Sequence, residues 1–346
     1  MRIISSLPND DLQAVPRRAK AAELAGFDGL TVPENAHNPF LPLAVAAVNT
    51  ERIDLITGVA IAFPRSPMMM ASTAWDLHAA SNGRFVLGLG SQVKPHIERR
   101  FSTTWSAPAP RMREYINSTR AIWNTWKTGE RLAFEGEHYN FSLMTPNFAP
   151  PSNDLAVPAI KISAVGPAML RLSGEVCDGV ALHGFCTRDY ITNQILPRIE
   201  EGMARTGRRR EHFQISGGGF VATGATDEEV ERSTEWIRSR VGFYGSTKAY
   251  WPVFAEHGLE DLGHELLHLS RTDGWDRMAS AVSDDVVRLF AAVGRHDELV
   301  AAITDRFGGL TDAVAVDAGV PPDLIQELKT IPSPFDSYRT DDQPAA

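Results

Sequence analysis

The sequence predicts an α/β protein built as a single (β/α)8 TIM barrel. Short apolar runs alternate with amphipathic stretches of helical period along nearly the whole chain, the mark of βαβ units on a parallel sheet. Eight such runs can be counted, and one closed barrel accounts for that number better than two doubly wound domains do. The doubly wound rival also lacks its fingerprint. Gly88-Leu89-Gly90 has no third glycine, and no helix start follows at once.

Residues 2–7 form the first strand. Asp10 or Asp11 caps the next helix, whose apolar stripe covers 12–25 and stops at Gly26. The second strand, 27–32, ends in Pro33-Glu34-Asn35-Ala36-His37, and 39–48 is a helix with proline near its start. The third, 53–61, ends in Ala62-Phe63-Pro64-Arg65-Ser66-Pro67, too proline-rich to continue either element. Helix 67–80 carries Met68, Met69 and Met70, read as core filler. The fourth strand, 84–89, is apolar and bounded by glycines, as a fully buried strand should be. Gly88 and Gly90 remove side chains where it ends, which would let a flat ring approach the backbone.

Helix 111–127 is long and amphipathic. Residues 128–158, with Tyr139, Phe141, Phe148 and several prolines, break the rhythm as an irregular insertion or hairpin after the fourth strand–helix unit. The rhythm returns with strand 159–164, helix 167–176, strand 179–182, helix 189–205 and strand 213–222, the last interrupted by Gly217-Gly218-Gly219. Helix 227–240 begins at a Thr226/Glu229 capping box. Residues 241–306 read as extra helices with glycine breaks, 312–317 as the last strand and 322–329 as the last helix. One domain thus spans 1–332, and 333–346 read as a polar, disordered tail.

The 346 residues allow a large buried core, and 43% hydrophobic with 22% charged residues is ordinary for a soluble protein. A net charge of -9 argues against nucleic acid or an anionic membrane as partner; an anionic ligand would need a locally positive site. Cys177 and Cys186 form no CxxC pair, which fits a reducing cytoplasm. Asp10 and Asp11 precede any long apolar run, so no secretory signal is expected, and no run is long enough to span a bilayer.

Four constellations carry chemistry. Glu34, Asn35 and His37 stand at the end of the second strand, where a barrel places groups that bind or protonate a substrate. The plainer reading is that Glu34 and Asn35 cap the next helix. Ser163, Ala164, Val165 and Gly166 end a strand in small residues before Pro167 opens a helix, so backbone N–H groups there would face an anion. Leu182, His183 and Gly184 end the next strand; the alternative is an ordinary tight turn. His264-Glu265-Leu266-Leu267-His268 matches H-E-x-x-H, but Arg271 stands where the extended zinc pattern needs glycine, so a surface or packing helix is expected and no metal. The arginines within 205–210 sit at a predicted helix end, which favours positive charge.

Taken together, the chain resembles the bacterial luciferase-like monooxygenase superfamily, and within it the branch of coenzyme F-420 (deazaflavin)-dependent oxidoreductases. The resemblance rests on Phe27-Asp28-Gly29 leading to Glu34, on Asn82 through Gly90, on Gly166-Pro167, on Cys177-Asp178-Gly179, and on the stretch 275–294 with Met278, Asp284 and Asp285. It implies a deazaflavin ring at the strand carboxyl ends, resting on a backbone bulge within Ala60, Ile61, Ala62 and Phe63, often at a non-proline cis peptide. It further implies cofactor contacts from Ser91 and His96, and a phosphate between Ala164-Val165-Gly166 and His183-Gly184. Asn35 stands where several relatives carry histidine, so either His37 or Glu34 would transfer the proton. Some relatives carry an acid where Val93 stands, so their sugar-phosphate oxidation is not expected.

The function this implies is hydride transfer between F-420 and a small organic substrate, in a cytoplasmic enzyme that could be a homodimer. An FMN-dependent monooxygenase using oxygen is the alternative on the same scaffold, and a non-catalytic flavin-binding barrel the alternative of another class. The insertion 128–158 and the region 241–306 could cover the substrate.

Overall fold

The computed structural model describes residues 1–272 and 274–338. Its strands are β1 (Arg2–Ser6), β2 (Gly29–Val32), β3 (Asp54–Thr57), β4 (Ala60–Ile61), β5 (Phe85–Gly90), β6 (Phe134–Glu135), β7 (Asn140–Phe141), β8 (Ala159–Ala164), β9 (Gly179–Leu182), β10 (Gln214–Gly217), β11 (Phe220–Gly224), β12 (Ala291–Arg295) and β13 (Ala313–Ala315). Nine of them join one sheet in the order β3-β2-β1-β13-β10-β9-β8-β5-β4, and β3 also pairs with β5, so the sheet closes on itself. β3 and β4 share one position because residues 58–59 interrupt them. The result is the eight-stranded parallel (β/α)8 barrel, with Leu30 opposite Leu55, Leu55 opposite Phe85 and Leu87 opposite Ile160.

Two expectations are corrected. The run 213–222 is two strands: β10 stays in the barrel, while β11 leaves it after Gly217 and Gly218, both at positive φ, and pairs in parallel with β12. β12 itself lies inside 241–306, which reads as helical because helix Asp284–Phe290 runs into it with no turn residue between. The insertion 128–158 does contain a hairpin, β6 against β7. At the expected capping box, Thr226 Oγ1 accepts from Glu229 N at 3.3 Å, but the Glu229 carboxylate reaches back to Ala225 N at 2.7 Å rather than to Thr226 N.

By internal contacts the chain forms two compact units. The larger comprises Ile4–Ala181, Ile199–Gln214 and the last segment from Asp336; the smaller comprises Met1–Ile3, Leu182–Arg198 and Ile215–Phe335. Strand starts in both are braced by buried aspartates. In the larger unit Asp178 accepts from Ile160 N at 2.8 Å and from Arg120 at 2.9 Å. In the smaller one Asp312 accepts from Ile215 N at 2.7 Å.

The smaller unit has an aromatic core in which Phe185 meets Phe254 at 5.1 Å and Phe290 at 4.5 Å between ring centroids. In the larger unit Tyr338 packs with Ile4, Ile56, Val86 and Ala159, and its hydroxyl donates to Gln214 Oε1 at 2.7 Å. The disordered-tail expectation is therefore wrong for 333–338: Ser333 donates to Asp312, Phe335 is buried, and Asp336 N donates to Glu211 O. Residues 339–346 lie outside the described residues.

Candidate functional site

In the larger unit, the loop after β2 is tied to the break between β3 and β4. Glu34 N donates to Val59 O at 3.2 Å. The Glu34 carboxylate accepts from Ile61 N at 2.7 Å and from both terminal nitrogens of Arg65, at 2.7 and 2.8 Å. Arg65 Nη1 also donates to Ile61 O at 2.8 Å. The Glu34 side chain is 8% exposed. With both oxygens held in a bidentate ion pair, it acts as a clamp on Ile61. Neither Glu34 nor Asn35 caps the next helix, Phe40–Ala47, whose N-cap is Pro39 with no side-chain cap bond; Asn38 Oδ1 accepts from Phe40 N at 2.8 Å. Asn35 O accepts from Arg100 at 2.7 Å. His37 is exposed, and no hydrogen bond to its ring is formed among the described residues.

The expected bulge is displaced. The cis peptide joins Gly58 to Val59, just before the predicted range, while Ala60, Ile61, Ala62 and Phe63 are all buried. Ala60 and Ile61 pair with Leu89 and Gly90, so they continue the strand. Gly58 is exposed and Val59 half-buried. The glycines of β5 make room for this break. A Cβ on Gly88 would stand 1.9 Å from Thr57 O, and one on Gly90 2.6 Å from Val59 Cγ2. Thr57 Oγ1 further locks Gly88, accepting from its N–H and donating to its carbonyl, both at 2.8 Å.

After β5, Ser91 Oγ donates to Gln92 O at 3.3 Å, and Gln92 takes a positive φ of 57°. His96, an expected cofactor contact, lies exposed in helix Lys94–Arg99. At the end of β8, Ser163, Ala164 and Val165 lead to Gly166, the N-cap of helix Pro167–Val176, and no side chain caps that end. The first intrahelical bond there is Leu170 N to Gly166 O, so the amides of Ala168 and Met169 have no partner within the helix. A Cβ on Gly166 would meet nothing within 4 Å, so the end is open.

In the smaller unit, Leu182 ends β9. The His183 ring stacks on Tyr250 at 4.7 Å and meets the edge of Tyr244 at 4.5 Å. Its Nδ1 accepts from Phe185 N at 3.0 Å, and burial pushes its pKa down to about 4, so the ring is neutral with its proton on Nε2. Gly184 has no room for a side chain, since a Cβ would lie 2.8 Å from the Phe220 ring. Arg306, 5% exposed, donates to the carbonyls of Cys186 and Gly218 and so holds the turns after β9 and β10.

The H-E-x-x-H helix is ordinary. His264 and His268 are exposed, and the His264 ring packs on Trp251 at 4.5 Å. The three-ligand group among the described residues is Glu114, Glu137 and His138, but the Glu114 carboxylate there accepts from the amides of 137–139 and so anchors the hairpin. Of the arginines at 205–210, Arg205 pairs with Glu175 and Glu201, and Arg208 with the buried Asp178, so these two are held by ion pairs as well as by the helix end. Among the described residues no helix is long and apolar enough to cross a membrane.

The profile of the luciferase-like monooxygenase family matches residues 3–312. This chain belongs to that family. An uncharacterized protein of Mycobacterium tuberculosis is 43% identical to it over 314 residues, covering 91% of this chain and 92% of that one. A 5,10-methylenetetrahydromethanopterin reductase of Archaeoglobus fulgidus is 29% identical over 322 residues, covering 90% and 91%. Among solved structures, the coenzyme F-420 dependent tetrahydromethanopterin reductase of Methanopyrus kandleri matches with a TM-score of 0.75 at 20% identity, covering 95% and 96%. The luciferase-like scaffold thus includes F-420-dependent reductases among this chain's relatives.

Sequence reasoning missed three arginines in this luciferase-like barrel: Arg65, Arg306 and Arg111. Arg111, from helix Pro108–Thr128, donates to Tyr139 Oη at 2.9 Å and Thr104 O at 2.8 Å, and its guanidinium lies 4.5 Å from the Phe63 ring centroid. Arginine positions carry no periodic signal; only the proline-rich turn holding Arg65 marked its neighbourhood.

Proposed function

We propose that this chain is an F-420-dependent oxidoreductase that moves a hydride between the deazaflavin and a small organic substrate. The observation that carries this reading is the relationship to F-420-dependent and methylenetetrahydromethanopterin reductases over about nine-tenths of the chain. The residues fit such a group. Gly58 and Val59 offer an exposed backbone face beside a clamped strand, and Gly166 opens a helix end whose amides suit a phosphate. When bound, the deazaflavin would supply two electrons as hydride. The chain's own part is positioning: the Glu34–Arg65 pair holds Ile61 and with it the break at Gly58 and Val59. His37, exposed on the same loop, is the residue that donates or takes the proton, because Glu34 is already committed to Arg65.

Purified protein is titrated with oxidised F-420 and with FMN in parallel, following ligand fluorescence. Tight binding of F-420 alone is the expected result. Tight binding of FMN alone would replace this reading with the oxygen-dependent monooxygenase, and oxygen uptake would then be the assay. Turnover unchanged in His37→Asn would remove the proton role from His37.

A further inference from the structure

We propose that Arg111 selects substrates carrying a carboxylate; this rests on the cofactor reading above, because Arg111 stands against Phe63, two residues beyond β4, the strand that follows the Gly58–Val59 break where that reading sets the ring. The guanidinium donates to Phe63 O at 3.4 Å and covers the Phe63 ring, while the Tyr139 ring lies 5.7 Å from it on the hairpin of the insertion. Its acceptors are all neutral: Tyr139 Oη, Thr104 O and Phe63 O. Arg84 of the same unit also donates only to neutral acceptors, but those are the Thr50 hydroxyl and the carbonyls of Ala47, Thr50 and Ile53, away from the Phe63–Tyr139 cluster, and several other arginines there are neutralised. Arg65 pairs with Glu34, Arg113 with Glu175, and Arg120 and Arg208 with Asp178. Arg111 forms no ion pair among the described residues, and the one acid nearby on its helix, Glu114, is consumed by the amides of 137–139. A half-buried cation without a counter-charge, in a chain of net charge -9, is where an anionic ligand gains most.

A second group in the cluster also lacks an acceptor. Tyr115 meets the Tyr139 ring edge-on at 5.6 Å between centroids; it is fully buried, and its hydroxyl has no hydrogen-bond partner among the described residues. An unpaired cation beside an unsatisfied O–H donor calls for one thing, an acceptor that carries negative charge. The planar guanidinium edge matches a carboxylate, and the Phe63 and Tyr139 rings favour an aromatic or apolar body behind it.

Benzoate, benzyl alcohol and phenyl phosphate are the probes, titrated calorimetrically into wild type, Arg111→Lys and Arg111→Gln, each with and without oxidised F-420. Benzoate should bind wild type at least tenfold more tightly than benzyl alcohol. Arg111→Gln should erase that preference without changing benzyl alcohol binding, and Arg111→Lys should keep part of it. Equal binding of benzoate and benzyl alcohol, or a preference that survives Arg111→Gln, would overturn the proposal and leave Arg111 as a tie between the hairpin and Phe63. Tighter binding of phenyl phosphate would move the class to phosphate esters and overturn the carboxylate assignment. Failure of F-420 to bind sinks the cofactor reading separately, since the cofactor-free titrations still read the carboxylate preference. Thermal melting of both variants checks that they fold.

Discussion

Replacing Glu34 with glutamine separates a clamp from a proton shuttle. In the native protein Glu34 Oε2 accepts from Ile61 N and Arg65 Nη1, and Oε1 accepts from Arg65 Nη2. Glutamine keeps the shape but has only one acceptor, so its NH2 must face a guanidinium N–H. One charge-assisted bond is lost, the Ile61 bond becomes neutral and the remaining Arg65 bond keeps only its cationic donor, a cost of about 1.5–3 kcal/mol for a buried pair. Arg65 is 25% exposed and can recover water, so about 1–2 kcal/mol is the expected loss. For a chain of this size that is a fall in Tm of roughly 1–3 °C.

The functional signature follows from where the clamp acts. Loosening Ile61 loosens the exposed Gly58–Val59 segment, so F-420 affinity should drop about tenfold, while the pH profile of turnover keeps its shape. Arg65→Met should do the same. A double-mutant cycle should return a coupling of about 1–2 kcal/mol between the two sites. Calorimetric melting, fluorescence titration and pH–rate profiles measure the three quantities. Loss of turnover in Glu34→Gln at native Tm, native F-420 affinity and with one limb of the pH profile gone would refute the clamp and make Glu34 the proton donor.

Three further outcomes are expected. Gly88→Ala should destabilise by about 2–4 kcal/mol in denaturant unfolding, because its Cβ would meet Thr57 O at 1.9 Å, whereas Gly166→Ala, with nothing within 4 Å, should cost no more than the preference of an N-cap for glycine over alanine, about 1 kcal/mol. Tyr115→Phe should raise stability by about 1 kcal/mol by removing a buried hydroxyl without a partner; a lower Tm would mean that the hydroxyl is bonded after all. His183 titrates near 4 in the fold against about 6.5 unfolded, so the unfolded state binds the extra proton, and stability is lost as pH falls from 6.5 towards 4, by about 3 kcal/mol in all. His183→Asn keeps an acceptor for Phe185 N and should flatten that part of the acid unfolding curve; an unchanged curve would show that His183 is not the group responsible.

The barrel was legible because its strands are buried on both faces and advertise themselves as apolar runs closed by glycine. Where strands were missed, the local signal was absent. β12 is five residues, two of them alanine, continuous with a helix, and its identity comes from pairing with β11 far away in the chain. The braces were legible only as motifs. Asp178 and Asp312 stand directly before Gly179 and Ala313, and their side chains accept the amides that begin the neighbouring strands. The sequence shows an Asp before a strand without showing which amide it accepts.

The site was harder for a physical reason. Reading Gly88 and Gly90 as room for a flat ring assumed that a missing side chain faces a ligand. Both face the neighbouring strand instead: Gly88 makes way for Thr57 O and Gly90 for Val59. The glycines were correctly found and wrongly aimed, since register decides what a missing Cβ accommodates and register is a non-local quantity. The same holds for Glu34. It stands at a strand end as expected, but whether a carboxylate shuttles protons or holds a strand depends on a partner 31 residues away, and Arg65 is that partner. Candidate proton donors at a barrel mouth are therefore best compared by what else reaches them: of the two the sequence left open, Glu34 is paired with Arg65, while His37 is exposed and its ring forms no hydrogen bond among the described residues.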